Sequence, residues 1–179
     1  MRRYQKSNPR QLNWQKYGEL VDSLVSKVRQ YSREHNVNFH IIAPILRGGA
    51  IPAVAIANKL DVTPMLPIQL KYDKNWRIIS LSTVRFFAKA TIPSVPNILV
   101  VENLTYSGDS VQRARKILQS IYPKAKIYFA TTENILINEE KKNQGFQQFF
   151  CGLATPRKRI INIYPFQDFV QELRTLNNE

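Results

Sequence analysis

The sequence has little cysteine and no long hydrophobic run. Its 179 residues include one cysteine, Cys151, which excludes an intrachain disulfide and predicts a reducing compartment. Because Cys151 follows Phe149 and Phe150, we expect it to be a buried apolar residue rather than a reactive thiol. No apolar run approaches the ~20 residues of a membrane-spanning helix, and the basic amino terminus lacks the apolar stretch of a signal peptide. We therefore expect a cytoplasmic protein with no membrane partner.

Acidic residues are scarce as well. Thirteen Asp and Glu face 26 Lys and Arg, which gives a formal net charge of +13. Such a field attracts polyanions, such as nucleic acid, an anionic membrane or a heavily phosphorylated small molecule, although it also serves solubility. The densest basic cluster is 157–159, and there is no aromatic-interleaved basic repeat of the kind found in single-strand binders. Charge alone leaves these alternatives open.

The order of apolar segments predicts an α/β fold in one domain over residues 1–179. Apolar residues recur at near-helical spacing over 12–33, and short apolar strands then alternate with helices. This spacing favours a mainly parallel twisted sheet with helices on both faces. We predict strands at 39–43, 65–70, 80–87, 98–101, 126–131 and 160–163, helices at 51–60 and 107–121, and a terminal turn or helix at 169–176. Residues 71–79 are predicted to form a mobile loop and 135–150 an excursion or short helix.

The most informative stretch is 98–110. A buried strand ends at an acidic residue, and a loop rich in hydroxyl groups then leads into a helix. The backbone N–H groups of such a loop and the amino end of the helix suit a phosphate, and ligands of open α/β sheets bind at the carboxyl ends of strands. An ordinary strand–loop–helix connection with a serine cap is the alternative. The residues concerned are Glu102, Thr105, Ser107, Gly108 and Ser110.

A second loop is predicted at the same edge of the sheet. Arg47, Gly48 and Gly49 follow the strand at 39–43 and precede a helix. The glycines permit close approach of the backbone to a ligand, and Arg47 can make charge-assisted hydrogen bonds to a pyrophosphate. A plain Arg-Gly-Gly turn is the alternative, but two such loops at one edge indicate a ligand with a phosphate at each end.

Several segments together resemble type I phosphoribosyltransferases, most closely the xanthine-guanine branch. The resemblance covers roughly residues 38–168 and is carried by 41–53, 71–73, 98–110, 122–126 and 164–166. It implies an N-terminal helix at 12–33, a core at 38–134, and a small hood subdomain with the C-terminal segment at 135–179. It also implies a homodimer or tetramer.

The resemblance implies roles for individual residues. Phosphoribosyl pyrophosphate would bind with Mg²⁺, and Glu102 would be the metal ligand and, with Asn103, would hold the ribose. Asp109 would belong to the phosphate loop, where we expect it to point outward in the first helical turn. The pyrophosphate group would be held by Arg47, Gly48 and Gly49, the 5-phosphate by Thr105, Ser107, Gly108, Asp109 and Ser110, and the mobile loop would begin at Lys71 and Tyr72.

Four positions depart from the family pattern. Asn103 replaces the second acid of the usual pair and brings no charge to a metal. Tyr106 stands where some branches have an aspartate as candidate base, and a phenol is a poor base at neutral pH. Glu133 stands where a lysine meets the base, which predicts an amino-bearing base unless Glu133 is a solvated residue at a strand end. Ile161 replaces the ring that stacks on the purine, although Phe166 could supply one.

Two functions remain open on these residues. The first is a glycosyltransferase of purine salvage that transfers 5-phosphoribose to a nucleobase and releases pyrophosphate. The second is a homologue with weakened or lost catalysis that binds a nucleoside monophosphate or a nucleic acid and acts as a regulator. The basic charge and the four departures favour the second, whereas the retained phosphate loops favour the first.

Overall fold

The structure, a computed structural model, describes residues 8–62, 64–72, 78–83, 92–135, 139–155 and 160–167. Within these ranges the chain forms eight strands and four helices. The strands are β1 (Asn8–Gln11), β2 (Ile41–Leu46), β3 (Ile68–Tyr72), β4 (Ile78–Thr83), β5 (Asn97–Thr105), β6 (Lys126–Ile135), β7 (Phe149–Thr155) and β8 (Ile160–Ile163). The helices are α1 (Trp14–Glu34), α2 (Ala50–Leu60), α3 (Asp109–Ile121) and α4 (Glu139–Asn143).

The main sheet has six strands in the order β4-β3-β2-β5-β6-β7. The pairs from β3 to β7 are all parallel, and only the edge strand β4 is antiparallel to its neighbour. Strands β1 and β8 pair with each other in a separate two-stranded parallel sheet. The predicted mainly parallel α/β fold is confirmed. No helix in the described parts of the chain is long and apolar enough to cross a membrane.

Helices cover both faces of the main sheet. Leu99 and Val101 of β5 pack in one core with α1 and α2, whereas Ile98 and Val100 pack in the other with α3. Successive side chains of a strand point to opposite faces of the sheet, so the same alternation determines the face on which each polar side chain at the end of β5 lies. The next residues on the two faces are Glu102, toward α3, and Asn103, toward α1.

Helix α1 forms as its apolar spacing predicts. Asn13 caps its first turn by accepting a 2.8 Å hydrogen bond from the Lys16 backbone N–H. One face of α1 is buried against the sheet, and its buried residues include Tyr17. The helix thereby brings the Tyr17 hydroxyl to the carboxyl end of β5.

The predicted bounds of several strands are wrong, including those of the strand predicted at 39–43, which spans 41–46, and a polar interior explains the largest error. The strand predicted at 126–131 continues through Thr132, Glu133 and Asn134, which are all buried. Glu133 therefore does not lie solvated at a strand end. Similarly, β5 continues to Thr105 rather than ending at Val101. The predicted loop at 71–79 is wrong at both ends, where residues belong to β3 and β4.

Two strands were not predicted at all, namely β1 and β7. Strand β7 contains Cys151, which is only half-buried and whose Sγ lies 3.0 Å from the Leu153 carbonyl oxygen. The predicted fully buried position of this cysteine is therefore wrong. The predicted terminal turn or helix at 169–176, the basic cluster at 157–159 and the loop centre at 73–77 lie outside the described residues.

Candidate active site

The loop between β2 and α2 presses against the end of β5. A Cβ at Gly49 would lie 2.2 Å from the Val101 carbonyl oxygen and 2.8 Å from that of Ile45. Only glycine leaves room for this approach. The peptide bond between Leu46 and Arg47 is cis, and Arg47 is exposed at the head of the loop. The Arg47 guanidinium is thus available to a ligand at this edge of the sheet.

Gly48 brings the same loop to the polar end of β5. A Cβ on Gly48 would lie 3.0 Å from Asn103 Cβ and 3.7 Å from Glu102 Oε1. The structure therefore brings together the Arg47–Gly49 loop and the Glu102–Asn103 pair that the sequence places in separate segments. Both lie at the carboxyl edge of the sheet, where ligands of this fold class bind.

Glu102 is held against the amino end of α3. Its carboxylate accepts a hydrogen bond from the Ser110 hydroxyl and one of 3.1 Å from the Asn103 backbone N–H. Burial nevertheless dominates and raises the pKa of Glu102 to about 8, because removal from water penalises the charged form more than the two donors favour it. Glu102 is therefore mainly protonated at neutral pH in the absence of a ligand.

Asn103 points to the opposite face and is tied into the core. Its side-chain oxygen accepts hydrogen bonds of 3.1 Å from the Tyr17 hydroxyl and 2.7 Å from Thr132 Oγ1. Asn103 is buried, as are both donors. An aspartate would also accept these two bonds but would bring an unbalanced buried charge, which explains how an amide suits this position.

The end of β5 and the loop after it carry polar groups, and one buried hydroxyl, at the last residue of β5, has no partner among the described residues. Thr105 is buried, and its Oγ1 makes no hydrogen bond there. Leaving such a group unsatisfied costs about 1–3 kcal/mol, so a site for a ligand oxygen is the natural account of it. In the same loop the Ser107 hydroxyl donates a 2.5 Å hydrogen bond to exposed Asp109, which faces outward as expected.

Lys142 of α4 lies over this loop, a position that its sequence context does not predict. A Cβ on Gly108, whose φ is +80°, would lie 2.9 Å from Lys142 Cγ. Lys142 is fully buried, and its ammonium donates to Asn134 Oδ1 at 2.7 Å and to the Ile135 carbonyl. Its place in the Glu-Glu-Lys-Lys run of the sequence is typical of a solvated face, so only the fold reveals this role.

Glu133 lies in the interior between β6, β7 and β8. Its carboxylate accepts hydrogen bonds from Thr155 at 2.7 Å, from Asn162 Nδ2 at 3.0 Å to each oxygen, and from the Tyr164 hydroxyl at 2.6 Å. The Glu133 carboxylate and the Tyr164 hydroxyl are both buried. Burial is the main cause that raises the pKa of Tyr164, and the negative charge of Glu133 is the second. Protein donors thus occupy the carboxylate that was predicted to meet the base.

An aromatic cluster adjoins Asn103 and contains Phe166. The Phe166 ring stacks on Tyr164 at a centroid distance of 5.7 Å and meets Tyr17 edge to face at 5.4 Å. Trp14, the first residue of α1, lies 6.5 Å from Phe166. Trp14 is 60% exposed and Phe166 is 37% exposed, so both present ring surface to solvent. Trp14 was not predicted as a site residue, because its position in the sequence is typical of the start of an amphipathic helix.

The remaining predicted residues are either located only by the strand in which they lie or found at the margin of the site. Ile161 lies in β8 opposite Pro9, and Lys71 and Tyr72 lie in β3. Tyr106 follows the last residue of β5 and is half-buried. Their roles, like those of the other predicted site residues, remain predictions.

A family model describing the phosphoribosyl transferase domain matches residues 11–151. This match spans more than two thirds of the chain and contains both converging loops. The chain belongs to the phosphoribosyl transferase domain family. The predicted resemblance to type I phosphoribosyltransferases is confirmed by this match. A comparison with curated protein sequences gives no match.

Solved structures share the fold of this phosphoribosyl transferase domain. A hypothetical protein from Neisseria gonorrhoeae with bound ppGpp matches at a TM-score of 0.68 and 18% identity over 96% of each chain. The xanthine-guanine-hypoxanthine phosphoribosyltransferase of Helicobacter pylori matches at 0.64 and 19%, over 94% of this chain and 99% of that one. A purine phosphoribosyltransferase from Pyrococcus horikoshii Ot3 matches at 0.58 and 17%, over 90% and 95%. At these identities the likeness establishes the shared fold.

Proposed function

We propose that this protein transfers 5-phosphoribose from phosphoribosyl pyrophosphate to a purine-type nucleobase and releases pyrophosphate. The observation that carries the proposal is the approach of the Arg47–Gly49 loop to the end of β5, where a Cβ on Gly48 would lie 3.0 Å from Asn103 Cβ and 3.7 Å from Glu102 Oε1. The Glu102 carboxylate in turn accepts a hydrogen bond from Ser110 at the start of α3. The substrate carries a phosphate at one end and a pyrophosphate at the other, and it therefore needs two anion-binding segments on one edge. The family membership supports the same reaction.

Each loop has a role in this proposal. Arg47 and the backbone of Gly48 and Gly49 bind the pyrophosphate, and charge-assisted hydrogen bonds from Arg47 stabilise it as it leaves. The loop at 105–110 and the amino end of α3 bind the 5-phosphate. The Thr105 hydroxyl, which has no partner within the described ranges, supports this assignment because a phosphate oxygen would satisfy it.

The reaction exchanges one bond at the anomeric carbon for another. The bond to the pyrophosphate oxygen breaks with its electron pair on the leaving group, and a lone pair of the base nitrogen forms the new carbon–nitrogen bond. The ring N–H proton of the neutral base is released to water. The transition state has oxocarbenium character, so the protein acts mainly by positioning the partners and stabilising charge. Glu102 and Asn103 hold the ribose hydroxyls in this scheme. Tyr106, beside the phosphate loop, is the third residue that we place near the reacting centre.

The residues at this edge fit Mg²⁺ only as an ion bound jointly with the substrate. Among the described residues there is no cluster of three or more His, Cys, Asp or Glu. Glu102 is a single carboxylate, and Mg²⁺ is commonly bound through one or two carboxylates together with substrate phosphates. Glu102 would be the protein's ligand. The ion would supply neutralisation of the pyrophosphate charge.

We assign the base to the class of purine-type rings and not to one particular purine. An amino-bearing base was predicted on the ground that Glu133 would accept from it. Because Glu133 already accepts from Thr155, Asn162 and Tyr164, that ground is lost. The exposed ring of Phe166 supports a flat base at the Asn103 end of the site.

A second candidate is a nucleotide-binding regulator on the same scaffold. The structural neighbour from Neisseria gonorrhoeae holds ppGpp, a guanine nucleotide with a pyrophosphate group, and it covers 96% of this chain. The uncharged Asn103 and the raised pKa of Glu102 are consistent with binding of a nucleotide without turnover. A nucleic acid could also bind to such a regulator through its basic surface.

Pyrophosphate release separates the two candidates. The protein is incubated with phosphoribosyl pyrophosphate and Mg²⁺ together with adenine, guanine, hypoxanthine or xanthine. We expect release with at least one base, and we expect Arg47→Ala to raise the KM for phosphoribosyl pyrophosphate about 10- to 100-fold through loss of charge-assisted bonds. Lys59→Ala, which removes an exposed cation at the far end of α2, is the matched control and should leave KM unchanged. No release with any base, together with tight binding of ppGpp, would establish the second candidate instead.

A further inference from the structure

Glu133 joins the core of the molecule to a segment that we here call the hood, defined as β1, β8 and residues 164–167, which differs from the 135–179 subdomain that the family resemblance implies. On the core side it accepts a hydrogen bond from Thr155 of β7 at 2.7 Å. On the hood side it accepts from Asn162 at 3.0 Å and from the Tyr164 hydroxyl at 2.6 Å. Because all these groups are buried, the carboxylate is a fixed link between the two parts.

The carboxylate has little capacity left for a ligand. Two carboxylate oxygens offer about four acceptor positions. Here Oε1 receives Thr155 and Asn162, while Oε2 receives Asn162 and Tyr164. Any effect of Glu133 on a ligand must therefore pass through the groups that it holds.

Tyr164 connects Glu133 to the exposed rings. Phe166 lies nearly parallel to Tyr164, with an interplanar angle of 8°. Tyr17 meets both rings edge to face and donates to Asn103, whose Cβ faces Gly48. Trp14 extends the same cluster outward. The position of Tyr164 thus sets where the ring of Phe166 stands relative to the β2–α2 loop.

We infer that Glu133 is a positioning residue that, by holding Tyr164, fixes the exposed rings of Phe166 and Trp14 as a stacking surface for the purine of a bound nucleotide. The inference rests on the proposed function and adds Trp14 from α1 to the base site. Aromatic rings stack on any nucleobase through its flat face, so this surface binds the ring and not one pattern of substituents. Purine affinity, and not phosphate affinity, depends on it.

The test compares two variants that each remove one hydroxyl donor from the same carboxylate. Tyr164→Phe removes the donor in the hood, and Thr155→Val removes the donor in the core. Calorimetry gives the Kd for GMP, which carries a base, and for phosphoribosyl pyrophosphate, which does not. We expect Tyr164→Phe to raise the Kd for GMP about tenfold through weakened base stacking, which contributes ~1–3 kcal/mol per base, and to change the other Kd less than about twofold. Thr155→Val should change neither value by more than about twofold.

Tryptophan emission gives a second readout. The sequence has two tryptophans, so Trp76→Phe leaves Trp14 as the one reporter. We expect GMP to change the Trp14 emission and phosphoribosyl pyrophosphate to leave it unchanged. Equal effects of the two variants on GMP, or an unaltered Trp14 emission with GMP bound, would overturn the inference while leaving the proposed function intact. Failure of the unaltered protein to bind either compound would overturn both.

Discussion

Glu102 should make the stability of the protein depend on pH. Its pKa is about 8 in the folded protein and near the ordinary 4.5 when the chain is unfolded. Its contribution to stability is complete below pH 4.5, where both states are protonated, and is lost as the pH rises through 8. We expect the free energy of unfolding, relative to Glu102→Gln, to fall by about 4 kcal/mol between pH 5 and pH 9, since one pKa unit corresponds to ~1.4 kcal/mol. Urea unfolding at a series of pH values measures it.

Glu140→Gln is the matched control for this prediction. Glu140 is exposed on α4, so its replacement removes a carboxylate without altering a buried site. We expect its stability to follow the unaltered protein across the whole pH range. A constant difference between Glu102→Gln and the unaltered protein from pH 5 to 9 would show that Glu102 ionises normally in the folded state.

Two glycines in different elements should respond to alanine in opposite directions. At Gly49, in the β2–α2 loop, a Cβ would lie 2.2 Å from a backbone oxygen, so the strand or the loop must shift. At Gly18, inside α1, a Cβ would meet nothing within 4 Å. We expect Gly49→Ala to destabilise the protein by about 3 kcal/mol or more and Gly18→Ala to stabilise it by about 0.5–1 kcal/mol. Urea midpoints for the two variants measure both effects, and a stable Gly49→Ala protein would refute the close approach.

The elements that the sequence predicts well are those with a clear apolar period. Helix α1 begins at Trp14 and ends at Glu34 against a predicted 12–33, and α2 spans 50–60 against 51–60. The central strand and the helix after it were also predicted, as was the pairing of two loops at one edge. In each case the hydrophobic pattern is local, so it can be read without knowing what it packs against.

The elements that were missed owe their structure to distant partners. Strand β6 was ended at Thr131 because polar residues follow, yet Thr132 bonds to Asn103 and Glu133 bonds to Tyr164, 31 positions away. A buried polar residue looks like a loop residue in a sequence until its donors are known. The same holds for Lys142, which looks solvated in the sequence and is buried against Gly108 in the loop after β5.

On the scale of the whole molecule, the excess positive charge is unevenly distributed. Helix α1 is nearly balanced, with four Lys and Arg against three Asp and Glu. Residues 109–126, which run from α3 to the first residue of β6, contain one acidic residue, Asp109, and five basic residues. On α1, Lys16 forms a salt bridge with Glu19. The basic residues of this second stretch are Arg113, Arg115, Lys116, Lys124 and Lys126.

We expect the basic surface of residues 109–126 to bind nucleic acid at low salt. Binding by neutralisation of phosphates releases counterions, so the association constant for a duplex should fall steeply as KCl is raised. Lys116 is exposed on α3, and Lys116→Ala should reduce the slope of log K against log salt by about 1. Lys16→Ala is the control, because it removes the same charge from α1, where Lys16 is already paired with Glu19. The slope for this variant should match that of the unaltered protein. Fluorescence anisotropy at several salt concentrations decides this. Equal slopes for both variants would mean that binding depends on the total charge of the protein and not on this surface. Absence of binding even at low salt would mean that the positive charge attracts phosphorylated small molecules rather than nucleic acid.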